Sequence, residues 1–107
     1  MTKKNIQNLL TEIREGLNAI YGSRLKGLYF YGSYARGDQD EGSDFDVLVV
    51  LDAFTNYFAE VDRTGQLTSN LSLKYDITIS KVFVNESDWK DGETPFLSNV
   101  RREAKAA

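Results

Sequence analysis

A chain of 107 residues with a formal net charge of −3 and neither cysteine nor histidine has few chemical options. The missing cysteines exclude disulfides and thiolate nucleophiles, and the missing histidines remove the commonest general base and transition-metal ligand. An acidic chain also lacks the positive field that holds a nucleic-acid backbone, so nucleic acid is not expected as a direct partner. Carboxylates are therefore the expected acid–base and metal-binding groups near neutral pH.

The length fits one domain over residues 1–107, which is too small to include a second substrate-binding lobe. Any bulky substrate is expected to come from a partner. The N-terminus leads into an amphipathic pattern rather than a signal peptide, and the longest apolar run, residues 47–51, is too short to span a bilayer. We expect a cytoplasmic protein with no membrane contact.

Hydrophobic periodicity and turn signals divide the chain into helical and extended segments. In chain order they predict a helix over residues 3–20, a strand over 25–31, a short helical turn over 33–36, a strand over 45–51, a helix over 54–71, a strand over 75–84 and a terminal helical piece with Trp89 and residues 95–102. After Asp46, the strand over 45–51 has apolar residues at both odd and even positions, which predicts a central strand covered on both faces. Gly32 ends the first strand, and Ser33 is expected to cap the short helical turn.

The most informative feature is a Gly-Ser pair, Gly32 and Ser33, followed after ten residues by the acidic pair Asp44 and Asp46. Gly32 lets the backbone approach a phosphate, while the Ser33 hydroxyl and the amides after it can donate to one. Strand residues two apart point to the same face with Cβ atoms roughly 6.5 to 7 Å apart, so the two carboxylates can converge on a cation. A set of oxygen donors without histidine favours Mg²⁺ over zinc.

A third carboxylate on a neighbouring strand would complete a two-metal arrangement. Asp76 is the candidate because it is the only acid in the predicted strand over 75–84, where it lies on the polar face. Its expected roles are metal ligation and general-base help toward an incoming hydroxyl. Arg36 is expected to contact the triphosphate or the leaving pyrophosphate.

Each part of this pattern also has a structural explanation when taken alone. Gly-Ser turns usually serve only the backbone, and an Asp-x-Asp pair often lies in a solvated loop or caps a helix. The intervening acids Asp38, Asp40 and Glu41 are expected in such a loop. The combination of both parts at two strand ends favours a phosphate and metal site.

These motifs resemble those of the minimal nucleotidyltransferases, small members of the DNA polymerase β-like nucleotidyltransferase superfamily. The residues that carry the resemblance are Gly32 and Ser33 with Arg36 and Gly37, then Ser43, Asp44, Phe45 and Asp46 before an apolar strand, and Asp76 in a later strand. The resemblance covers nearly the whole chain. It implies an α+β fold in which a short mixed β-sheet is flanked by helices.

The resemblance further implies the metal triad Asp44, Asp46 and Asp76, with two Mg²⁺ ions and with Gly32 and Ser33 at the triphosphate. It implies adenylyl transfer from ATP with release of pyrophosphate. Minimal proteins of this kind resemble antitoxins whose partner is a helical HEPN-type ribonuclease toxin, on which they modify a tyrosine with one or more AMP units. Two alternatives stay open, namely an antitoxin that neutralises its toxin by binding alone and a transferase that modifies a small, aminoglycoside-like alcohol.

Overall fold

The computed structural model describes residues 1–107 as alternating helices and strands. The elements are α1 (Lys3–Tyr21), a 3-10 turn (Gly22–Arg24), β1 (Leu25–Tyr31), α2 (Ser33–Arg36), β2 (Phe45–Leu51), α3 (Tyr57–Tyr75), β3 (Ile79–Asn85), α4 (Glu86–Asp91), α5 (Pro95–Glu103) and β4 (Lys105–Ala106). The predictions for α1, β1, α2 and β2 are confirmed to within a residue. No helix is both long and apolar enough to cross a membrane.

The strands form one mixed sheet in the order β3-β2-β1-β4. β1 pairs antiparallel with both β2 and β4, whereas β2 and β3 run parallel. The parallel pair requires a crossover, which α3 supplies. The two inner strands, β1 and β2, are thereby held on both edges, and they are the strands that lead to the predicted site.

Apolar side chains cover both faces of β2, as its sequence predicts. On one face, Phe45, Val47, Val49 and Leu51 pack in a cluster with residues of α1 and α3, including Leu9, Ile13, Leu17 and Leu71. On the other face, Leu48 and Val50 pack with Leu97 and Val100 of α5. Every residue of β2 except Asp46 is buried. Asp46 therefore stands at the rim of a rigid, close-packed strand.

The α3–β3 segment differs from its prediction. The side chain of Asn56 accepts a hydrogen bond from the Ala59 amide, so α3 begins at Tyr57 rather than at residue 54. α3 also continues to Tyr75, where the side chains of Lys74 and Tyr75 both bond Glu12 of α1. The third strand consequently starts at Ile79, and the prediction that Asp76 lies within a strand is wrong.

The C-terminal region contains more structure than the sequence pattern indicated. α5 begins after Thr94, whose hydroxyl accepts from the Leu97 amide at 3.2 Å, and Pro95 takes the first helical position. α4 forms a separate helix of six residues. β4 was not predicted, because two paired residues are too few to carry a hydrophobic period.

Candidate active site

The junction of β1 and β2 places Gly32 directly against the carboxylate of Asp46. Tyr31 is the register partner of Asp46, so the turn after β1 lies beside the first residues of β2. Gly32 has φ 75° and ψ −153°, a conformation reserved almost entirely for glycine. A Cβ atom at this position would lie 2.3 Å from Oδ2 of Asp46. Glycine is thus required both by the backbone conformation and by the close approach.

Ser33 does not take the capping role predicted for it. Gly32 holds the N-cap position of α2, Ser33 is the first helical residue, and no side chain caps this helix. The prediction is wrong because the positive φ of Gly32 starts the helix one residue earlier. The Ser33 hydroxyl can donate its hydrogen to a ligand.

Asp44 and Asp46 form a pair of like charges without a basic partner. Neither carboxylate takes part in any of the salt bridges of the structure. Burial raises the pKa of Asp46 above its ordinary value, and the neighbouring charge of Asp44 raises it further. The charge of Arg36 lowers this pKa, but by less than burial and Asp44 raise it. Carboxylates outside any salt bridge fit a hard cation such as Mg²⁺.

Asp76 lies outside the sheet, at the C-cap of α3, with a left-handed φ of 51°. It is exposed, and it borders a cleft of about 380 Å³ whose rim also includes Asp44. The structure therefore brings Asp76 to the same cleft as Asp44. The side chains as they stand form no group of three or more carboxylates around one point, so the triad of Asp44, Asp46 and Asp76 stays a prediction.

The β3 residue opposite Asp46 is Ser80, which the sequence analysis did not single out. Ser80 pairs with Asp46 in the parallel register, so the two side chains point to the same face of the sheet. Its position depends on where β3 begins, which the sequence pattern placed four residues too early.

Glu103, the last residue of α5, is a second group that sequence reasoning missed. Its Oε1 accepts from the Gly32 amide at 3.2 Å, and its Oε2 accepts from Nη1 of Arg36 at 2.9 Å. Nε of Arg36 also bonds Asp38 at 3.1 Å. Both bonds raise the pKa of Arg36, and the bond to Glu103 has the larger effect. No sequence signal links residues 71 positions apart.

Tyr31 lines the same part of the structure beside Asp46. Burial, followed by the charge of Asp46, raises its pKa to about 12. Its ring packs edge-on against Phe96 of α5, with ring centroids 5.8 Å apart. A phenol with this pKa stays protonated near neutral pH, so carboxylates remain the available bases.

The nucleotidyltransferase domain profile matches residues 10–104, and the chain belongs to this family. The Methanocaldococcus jannaschii protein MJ0141, which carries the provisional name of a protein adenylyltransferase, is 34% identical over 95 residues, or 89% of this chain and 91% of the relative. Protein adenylyltransferase MntA of Thermococcus cleftensis is 29% identical over 79 residues, covering 74% of this chain and 78% of MntA. The predicted enzyme class, nucleotidyltransferase, is confirmed.

Solved structures confirm the predicted fold. A crystal structure of a toxin–antitoxin with AMP-PNP aligns with a TM-score of 0.63 at 22% identity, over 91% of this chain and 70% of that chain. A structure of tri-AMPylated Shewanella oneidensis HEPN toxin in complex with MNT antitoxin aligns with a TM-score of 0.57 at 18% identity, over 94% of this chain and 69% of that chain. At these identities the likeness concerns the fold alone.

Proposed function

We propose that this chain transfers AMP from ATP to a tyrosine hydroxyl of a partner protein, a helical HEPN-type ribonuclease toxin, and thereby acts as its antitoxin. The observation that carries the proposal is the contact of Gly32 with the Asp46 carboxylate, which brings a phosphate-approachable backbone turn within reach of a metal-binding side chain. Its relatives include a protein adenylyltransferase, and its structural neighbours include toxin–antitoxin complexes. The proposed location is the cytoplasm, which an absence of cysteine fits.

Each site residue has a defined part in this proposal. Asp44 and Asp46 would hold Mg²⁺, with two ions proposed, and Asp76 would contribute the third carboxylate. Gly32, Ser33 and Arg36 would donate to the triphosphate. When bound, Mg²⁺ offsets phosphate charge and polarises the phosphoryl group under attack. The support for Asp76 is its place on the cleft that Asp44 also borders.

The reaction balances without any further reactant. The acceptor oxygen forms a bond to the α-phosphorus, and the bond from that phosphorus to the α–β bridging oxygen breaks. Pyrophosphate leaves with the electron pair, and the hydroxyl proton passes to a carboxylate, for which Asp76 is proposed. The work of the protein is to align the acceptor with the leaving pyrophosphate.

The experiment that tests this function follows label from ATP into the protein encoded by the neighbouring gene, in the presence of Mg²⁺. ATP labelled at the α-phosphate should label that protein, and ATP labelled at the γ-phosphate should not. Asp46→Asn should lower transfer by roughly 100-fold or more, because it removes a metal-binding charge. Asp62→Asn is the matched control, since Asp62 is an exposed acid of α3 away from the site.

Other outcomes separate the alternatives. Near wild-type transfer by Asp46→Asn would show that the metal assignment is wrong. Suppression of the toxin by a tight complex that carries no label would favour neutralisation by binding. Label on a small alcohol in the absence of any protein partner would favour small-molecule modification.

A further inference from the structure

A carboxylate of the chain itself occupies the donors that the proposed function assigns to the triphosphate. One carboxylate oxygen of Glu103 accepts a hydrogen bond from the Gly32 amide at 3.2 Å, and the other accepts one from the Arg36 guanidinium at 2.9 Å. The Glu103 side chain is 25% exposed, so these bonds are partly shielded from water. Glu103 therefore bridges Gly32 and Arg36, the two ends of the turn that we propose binds the phosphates.

A phosphate oxygen would need the same two donors. A backbone amide and a guanidinium are the usual donors to carboxylates and phosphates alike, and they prefer anionic acceptors. The Gly32 amide has one hydrogen, which Glu103 already accepts. A triphosphate cannot take this hydrogen at full strength while Glu103 stays in place.

The guanidinium of Arg36 is already paired with carboxylates of the chain itself. Its guanidinium pairs with Glu103 at 2.9 Å and with Asp38 at 3.1 Å, so two carboxylates face one cation. Release of Glu103 would leave Asp38 as the one carboxylate paired with Arg36 and would free Nη1 to donate to a phosphate oxygen.

Glu103 stands where a small movement would release it. It is the last residue of α5, and the chain after it joins the sheet through the two exposed residues of β4 and a bond from the Ala107 amide to the Leu28 carbonyl at 2.9 Å. Short exposed pairings of this kind open at low free-energy cost. Arg36, its partner on α2, is exposed as well.

We propose that Glu103 competes with the triphosphate of ATP for the Gly32 amide and Arg36, so that nucleotide binding requires its release and is coupled to the end of α5. This inference rests on the proposed function, since it assumes that the turn receives a triphosphate. It assigns Glu103 a role in setting nucleotide affinity rather than in the chemical step.

The test compares binding of ATP and of inorganic tripolyphosphate, both with Mg²⁺, by calorimetry. Glu103→Gln removes the competing charge and should tighten both ligands roughly three- to tenfold, the range expected for a partly exposed charged contact. Glu93→Gln makes the same charge change at an exposed residue between α4 and α5, and should stay within about twofold of wild type. Thermal unfolding of each variant checks that it folds.

A second variant keeps the charge and shortens the side chain. Glu103→Asp cannot easily span both donors, so it should also tighten the two ligands, by less than Glu103→Gln. In an Arg36→Gln background, the gain from Glu103→Gln should shrink to less than about twofold, because one of the contested donors is gone.

Weaker or unchanged binding by Glu103→Gln would overturn the inference, because it would mean that Glu103 supports the turn instead of blocking it. If the wild type transfers AMP while that result holds, the proposed function stands without the inference. If neither ligand binds any variant, the turn is not a triphosphate site and both proposals fail.

Discussion

Two junctions place the residues of the candidate site, and they differ in how firmly they do so. The β1–β2 junction positions Gly32 and Asp46, and the α3–β3 junction positions Asp76. At the first, Tyr31 pairs with Asp46, so strand pairing fixes both ends of the intervening turn. At the second, α3 runs one turn further than its pattern suggested and leaves Asp76 at a helix end. Pairing between strands holds a residue in register, whereas the end of α3 depends on the tertiary bonds of its last turn, those of Lys74 and Tyr75 to Glu12.

The largest effect is expected at the β1–β2 junction, from Gly32→Ala. The new methyl group would meet Asp46 and would also force alanine into a glycine-only conformation. We expect AMP transfer to fall by about 100-fold or more, since a displacement near 1 Å of a catalytic group has that effect. Stability should fall by ~2–4 kcal/mol, measured by urea unfolding.

Gly22→Ala is the control for backbone strain alone. Gly22 also has a positive φ, 56°, but a Cβ there would meet nothing within 4 Å. It should lose stability by ~1–2 kcal/mol and keep its transfer activity. Equal activity in the two variants would mean that the contact of Gly32 with Asp46 does not matter for the reaction.

At the α3–β3 junction, Asp76→Asn and Ser80→Ala decide which residue serves the site. The proposed function requires the charge of Asp76, so Asp76→Asn should lower transfer by roughly 10- to 100-fold. Asparagine tolerates the left-handed conformation of this C-cap, so the fold should be kept. Ser80→Ala should change transfer less than about threefold. If Ser80→Ala lowered transfer more than Asp76→Asn in the same label assay, Ser80 and not Asp76 would be the third residue of the site.

The contrast between the junctions explains what the sequence could predict. Helix and strand periods identified α1, β1 and β2, and a Gly-Ser pair before an Asp-x-Asp pair pointed to the β1–β2 junction, where Gly32 and Asp46 meet. The boundary between α3 and β3 could not be predicted, because it depends on tertiary bonds from Lys74 and Tyr75 to Glu12. Glu103 could not be predicted either, since only the folded chain brings α5 to Gly32.

A smaller effect concerns how α3 is held against α1. Tyr21 donates to Oε1 of Glu60 at 2.7 Å, and both side chains are buried. Tyr21→Phe leaves that carboxylate with Arg63 as its one side-chain donor, so stability should fall by ~1–2 kcal/mol in urea unfolding. Tyr75→Phe is the matched control, because its bond to Glu12 is only partly buried, and it should cost less stability than Tyr21→Phe. An equal loss in both variants would mean that burial of the Tyr21–Glu60 pair is unimportant.

The smallest effect is expected from the partly buried charge of Lys81, a β3 residue that contacts α3. Lys81 is half-buried, burial lowers its pKa below the ordinary 10.5, and its Nζ bonds Thr68 at 2.7 Å. Folding therefore disfavours the charged form, and this penalty is present in full at pH 7. Lys81→Met should raise stability at pH 7 by ~0.5–1 kcal/mol, as removal of a partly buried charge does.

The sign of the pH dependence makes this prediction specific. As the pH rises through the lowered folded pKa toward the unfolded one, the wild type loses its penalty, so its stability should approach that of Lys81→Met. Urea unfolding at pH 7 and near pH 10 measures this gap. Lys4→Met, at an exposed lysine of α1 that forms no salt bridge, controls for loss of an exposed charge. A gap that stays constant with pH would mean that packing, and not the buried charge, separates the two proteins.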